Sequence, residues 1–155
     1  MKVAFTIHGQ PYSKANSRAI VTHRYRALDG QVREHPRSIK PQDALAFERA
    51  ALLQIPVECR KRLTGPVRVT LRIYYASNRP DLDESLILDV LQDRYAWRKT
   101  TTGKVRVLIQ AGVCRNDRAV WEKHVLKALD KTNPRAEIIV EPLSAQQCEL
   151  WCDHG

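Results

Sequence analysis

What the sequence lacks narrows the possibilities first. No stretch approaches the roughly 20 apolar residues of a membrane span, and the run Val3 to Ile7 is too short for the apolar core of a secretory signal. The expectation is a cytoplasmic protein. Cys59, Cys114, Cys148 and Cys152 have no framework spacing, which fits a reducing compartment. Cys148, Cys152 and His154 offer three zinc ligands but no fourth. No Gly-rich phosphate loop is present, and Ser13 and Ser17 have no placed His and Asp partners. Chemistry through a nucleotide cofactor or a serine nucleophile is therefore disfavoured. His8, His23, His35 and His124 lack the spacing of a metal-binding helix and read as surface or strand residues.

Acid is also scarce beside base. Lys and Arg number 26 against 17 Asp and Glu, a net charge of +9 with a pI near 9.7, which suggests a polyanionic partner, nucleic acid before anionic membrane. A length of 155 residues suits one core, and 43% hydrophobic with 28% charged residues argues against wholesale disorder.

Val3, Phe5 and Ile7 alternate with small or polar residues before Gly9-Gln10-Pro11, the pattern of a first strand. From Lys14 to Lys40 seven bases face two acids, a basic region with a hairpin expected about Asp29-Gly30. Asp43 is expected to cap a helix that runs through Ile55 and stops at Pro56. Val67, Val69, Leu71, Ile73 and Tyr75 share one face of a half-buried strand. Leu86 to Leu91 has helical propensity. Arg94 to Arg106 carries five bases and no acid, with a turn at Thr100-Thr101-Thr102-Gly103. Val105, Leu108, Ile109 and Gly112 suit a helix by spacing and a strand by β-branching. An extended segment from Val120 to Lys127 and a strand from Ala136 to Val140 flank a turn at 130–134. The reading is α+β: one small domain over 1–142, a mixed sheet packed with helices, and a tail over 143–155.

The chemistry concentrates in Asp81 to Asp93, where five acids and no base stand inside a basic chain. Side chains two apart in extended backbone share a face, so Asp81 and Asp83 can aim at one point. Carboxylates in this arrangement suit Mg²⁺, and equally they can neutralise the N-terminus of the next helix. Asp117, in a polar turn before a strand, offers a third carboxylate. An acidic centre within a basic surface is what phosphodiester hydrolysis needs, since the metal activates water and the bases hold the backbone.

Phe5-Thr6-Ile7-His8-Gly9-Gln10-Pro11 with Lys14, then Arg79-Pro80-Asp81-Leu82-Asp83, then Ala111-Gly112-Val113-Cys114-Arg115-Asn116-Asp117-Arg118-Ala119-Val120, resembles the RusA family of Holliday-junction resolvases over about residues 3 to 141. The resemblance implies a small homodimeric endodeoxyribonuclease, often carried by prophages, that uses Mg²⁺ to nick four-way DNA junctions. Asp81 and Asp83 match the family's paired metal-binding aspartates and Asp117 the third. Two departures stand out: Glu84 follows the second aspartate where the family has Asn, and Ile87 stands where it has a catalytic Lys. The spacing from Asp83 to Gly112 also implies an insertion within Ser85 to Gly103. If Lys104 to Ala111 is the second half of the family helix, Lys104 becomes the first replacement candidate and Lys99 the next.

Under this reading Lys14, Arg18, Arg24 and Arg26 hold branched DNA by its phosphates, with Lys99 as a further contact. Tyr95 and Trp97 either stack on an unpaired base or anchor the second basic loop to the core. Trp121 reads as core or dimer interface. The alternative is a non-catalytic basic DNA-binding protein whose acids are structural.

Overall fold

The computed structural model describes residues 1–12 and 19–144. Lys14, Arg18 and the Cys148, Cys152 and His154 group lie outside the described residues. The elements in chain order are β1 (Val3–His8), β2 (Ala19–Arg26), β3 (Val32–Ile39), α1 (Gln42–Gln54), β4 (Val67–Tyr75), α2 (Ser85–Val90), β5 (Arg94–Thr100), β6 (Gly103–Gln110), β7 (Val120–Leu129) and β8 (Arg135–Pro142). Short 3₁₀ turns occupy Val57–Cys59 and Asp117–Ala119.

The alternation in β4 decides the centre. Val67, Val69, Leu71, Ile73 and Tyr75 are each at most 1% exposed, so this strand is covered along one whole face. Burying each such aliphatic side chain contributes about 1.5–3 kcal/mol. On one side β8 pairs antiparallel with β4, setting Val140, Ile138 and Ala136 opposite Val69, Leu71 and Ile73. Beyond it β1 pairs antiparallel with β8, and on the other side β7 runs parallel to β4. The result is a mixed four-stranded sheet of order β1-β8-β4-β7. Helix α1 contributes Ala44, Phe47 and Ala51 to the core on its covered face, and α2 contributes Leu86, Ile87 and Val90. The α+β fold expected from the sequence is the fold observed.

Two ribbons stand outside this core. β2 and β3 form a hairpin about Asp29-Gly30, where Gly30 takes a left-handed φ of 79°. Every residue of β3 is exposed. β5 and β6 form the second ribbon, turning at 100–103. Residues 103–110 are therefore strand, not the helix half on which the Lys104 mapping depended; Val105, Val107 and Ile109 favour extended backbone once a partner strand is available.

The other corrections are local. α1 begins after Pro41, whose carbonyl accepts the N–H of Leu45, so Asp43 lies in the first turn and does not cap it. Trp121, 57% exposed on edge strand β7, is not core. Leu143 still hydrogen-bonds the domain, its N–H reaching the carbonyl of Pro66 at 2.9 Å. No described helix is long and apolar enough to cross a membrane.

Candidate functional site

The acidic corner is built on the last residue of β4. Tyr75 is buried, but its hydroxyl reaches the chain beyond the strand, donating to the Asp81 carbonyl at 3.1 Å and accepting the Asp83 N–H at 3.2 Å. Burial pushes the Tyr75 hydroxyl up, and the charges of Asp83, Glu84 and Asp81 add to this, so it stays protonated and able to donate. Asp83 in turn accepts the Ser85 N–H at 2.9 Å, satisfying a donor in the first turn of α2. The Asp81-Leu82-Asp83 segment is thus held from both ends.

Edge strand β7 brings cations to this corner. Lys127 donates to the carbonyls of Pro80 and Asn78 at 2.7 and 3.1 Å and lies 5.6 Å from the Tyr75 ring centroid. Lys123 pairs with Glu84. These two lysines escaped the sequence reading. The available signal was their even spacing in a strand, which sets Lys123 and Lys127 on one face together with Val125.

The third aspartate sits elsewhere along the sheet. Asp117 precedes Val120, whose register partner is Val67 at the start of β4, whereas Asp81 and Asp83 are tied to Tyr75 at its end. Those strand ends lie roughly 26 Å apart at 3.3 Å per residue, although the acidic segment runs back along the sheet, since Glu84 pairs with Lys123, the register partner of Val69. Among the described residues no three His, Cys, Asp or Glu side chains are grouped so as to hold a metal. Two carboxylates at one corner still match the chemistry of Mg²⁺, which commonly takes one or two from protein and fills its shell with water and substrate phosphate.

The cation candidates are dispersed. Ile87, where the resemblance implies a lysine, is fully buried and faces the core. Lys104 pairs in register with Lys99 near the tip of the second ribbon, both exposed. Six strand residues, roughly 20 Å, separate Lys104 from the ribbon's base at Gln110. Arg24 is exposed on the first ribbon but ion-paired with Glu34 across it, while Arg26 is exposed at its turn end. On the same ribbon His23, Tyr25 and His35 cluster, with ring centroids 5.3 to 6.3 Å apart.

Buried acids anchor the ribbons. Asp93, whose side chain is wholly buried, accepts Arg62 Nη2 at 2.9 Å, the Tyr95 hydroxyl at 3.1 Å and the Gly112 N–H at 2.8 Å. Burial pushes this carboxyl up, but Arg62, the Gly112 N–H and Tyr95 outweigh it and hold it below the usual range. Asp93 therefore clasps the second ribbon where it leaves and rejoins the core. A Cβ at Gly112 would stand 2.4 to 2.6 Å from the backbone of 91–93, so only glycine fits. Glu48 on α1 pairs with both Lys40, just after β3, and Arg94, which opens β5, so one carboxylate joins the bases of both ribbons. Tyr95 anchors its ribbon, one of the two roles expected of it, whereas Trp97 is 68% exposed.

No model of a known protein family matches the chain, and no curated protein matches it.

Proposed function

We propose that this protein is a Mg²⁺-dependent endodeoxyribonuclease of the RusA type, acting on four-way DNA junctions as a homodimer. The observation that carries the reading is the clamp of Tyr75 on Asp81 and Asp83, a rigid acidic corner with Lys127 beside it in a molecule whose two exposed ribbons are basic. A buried hydroxyl needs partners, and here it takes them from the backbone on both sides of Leu82. Asp81 and Asp83 would hold the cation, which when bound supplies Lewis-acid stabilisation of charge on the phosphate and lowers the pKa of water. The clamp fixes the backbone that carries the two carboxylates, and Lys127 holds the loop before them through the carbonyls of Asn78 and Pro80. Arg26, Lys99 and Lys104 would contact DNA phosphates, and edge strand β7, which carries exposed Trp121, would meet a second copy.

A second reading is favoured by one observation, the separation of Asp117 from the other two aspartates. Under it the protein binds branched DNA without cutting it. The deciding experiment incubates a mobile four-way junction and a linear duplex with protein, with Mg²⁺ or EDTA. Junction-selective nicking only with Mg²⁺ supports the nuclease; junction binding without nicking under any divalent cation supports the binding protein.

A further inference from the structure

Beside the second ribbon lies a cleft of about 500 Å³, lined by Thr64, Tyr95, Arg106, Arg115, Asn116 and Arg118. Three guanidiniums converge there, and among the described residues no carboxylate lines it. Six other arginines, Arg24, Arg33, Arg62, Arg68, Arg94 and Arg135, are each ion-paired. Among the described residues Arg106, Arg115 and Arg118 have no such partner. Gathering like charges in a concavity without counter-acid costs free energy, and an anion entering the cleft would remove that cost.

The floor of the cleft is fixed. The Arg106 guanidinium stacks on the Tyr95 ring at 3.9 Å, and the Tyr95 hydroxyl is committed to buried Asp93. Asp93 is locked in turn by Arg62 and the Gly112 N–H. Arg106 thereby presents a guanidinium held on its aromatic platform, the arrangement that suits bidentate recognition of phosphate. A second groove, which Tyr95 and Arg106 also line, gives the contrast. It is lined by Lys40, Arg94 and Arg106 but also by Glu48, Asp89 and Asp93, so its charges cancel and a phosphate gains little there.

We propose that the cleft between the second ribbon and the 115–118 turn is a phosphodiester-binding site for a nucleic-acid strand, with Arg106, Arg115 and Arg118 as its charge and Asn116 and Thr64 as neutral hydrogen-bonding groups. The proposal rests on the nucleic-acid reading above but not on cleavage. Its volume exceeds what one phosphate group fills, which favours a strand lying through it over a small enclosed ion. A strand held there passes beside Asp117, which lies between Asn116 and Arg118, and this gives that aspartate a position against substrate rather than within the Asp81–Asp83 corner.

The test uses the full chain in EDTA, with binding of a four-way junction and of a linear duplex followed by fluorescence anisotropy from low to moderate KCl. The triple variant Arg106→Ala, Arg115→Ala, Arg118→Ala is expected to weaken both about tenfold or more and to flatten the log–log salt slope by at least about 0.9, the contribution of one duplex phosphate. The triple Lys variant should recover the slope but not the full affinity, because it restores charge without the planar fork. Inorganic phosphate, titrated separately and followed by arginine Nε resonances, should bind only weakly. Unchanged affinity and slope in an alanine variant with wild-type circular dichroism and Tm would overturn the site. Tight inorganic phosphate binding without an effect on DNA would also overturn it, in favour of a small-anion site. A wild-type protein that binds no DNA would remove the nucleic-acid reading and this site together. One that binds but never nicks would remove only the nuclease, leaving the cleft to be judged on its slope.

Discussion

The Tyr75 hydroxyl accepts the Asp83 N–H at 3.2 Å, joining the fully buried end of the central strand to the acidic corner outside it. Core packing and the backbone that carries the candidate carboxylates are therefore coupled through one oxygen. Tyr75→Phe keeps the ring and deletes both hydrogen bonds, leaving the Asp83 N–H and Asp81 carbonyl to find water. The expected cost is about 1–2 kcal/mol of stability by denaturant titration. On the nuclease reading junction nicking falls more than junction binding; equal effects on both would mean that the clamp serves folding alone.

Asp81→Asn and Asp83→Asn should retain the fold and junction binding while losing most nicking. Asn at 83 can still accept the Ser85 N–H, so α2 keeps its start and the comparison isolates charge. Binding without metal should tighten slightly as repulsion against phosphate is removed. Near wild-type nicking by either variant would exclude the corner as a cation site. Asp117→Asn, away from the clamp, should affect nicking only if substrate or a mobile ligand joins the two regions.

Ile87→Lys would introduce the lysine that the proposed RusA-type reading implies at a position that this fold buries completely. The ammonium would replace a core contact between α2 and the sheet, and a loss of about 3 kcal/mol or more is expected, read as a lowered Tm. Lys127→Ala should instead leave the core intact and loosen residues 78–83, seen as faster amide exchange there. A stable Ile87→Lys protein with raised nicking would show that α2 can rotate its buried face outward.

Asp93 carries a pH signature. Its carboxyl is held below its ordinary value of 3.8, so its contribution is fully present above that pH and is lost as pH falls through the folded-state value. Acid unfolding should therefore steepen below about pH 4. Asp93→Asn should flatten this part of the stability profile and lower stability at neutral pH, because the ion pair with Arg62 is lost and the buried amide must still satisfy the Gly112 N–H and the Tyr95 hydroxyl. A variant with the wild-type profile would exclude Asp93 as the acid-labile clasp.

On the first ribbon, Arg24→Ala and Arg26→Ala should differ. Arg26 is expected to contribute close to 0.9 to the salt slope and Arg24 less, since Glu34 already neutralises it. Lys99→Ala and Lys104→Ala, paired at the tip of the other ribbon, should weaken binding alike with no selective loss of nicking rate. A selective rate loss for Lys104→Ala alone would return it to the catalytic role that the sequence comparison suggested.

Alternation alone was enough to locate β1, β4 and β8, because a strand with one covered face must place every second side chain in the core. The same local logic located the Asp29-Gly30 hairpin and the acidic corner between strand and helix. Residues 103–110 resisted it, since β-branched side chains at mixed spacing suit either period and only pairing with 94–100 chose the strand. The roles of Tyr75, Asp93 and Lys127 were equally invisible: each depends on a partner 6 to 47 positions away. Sequence determined which residue types exist at the candidate site and which local backbone they prefer. Tertiary structure alone decided that Ile87 is buried, that Asp117 is not grouped with Asp81 and Asp83, and that three arginines converge in one cleft, because convergence comes from strand pairing and packing between segments distant in the chain.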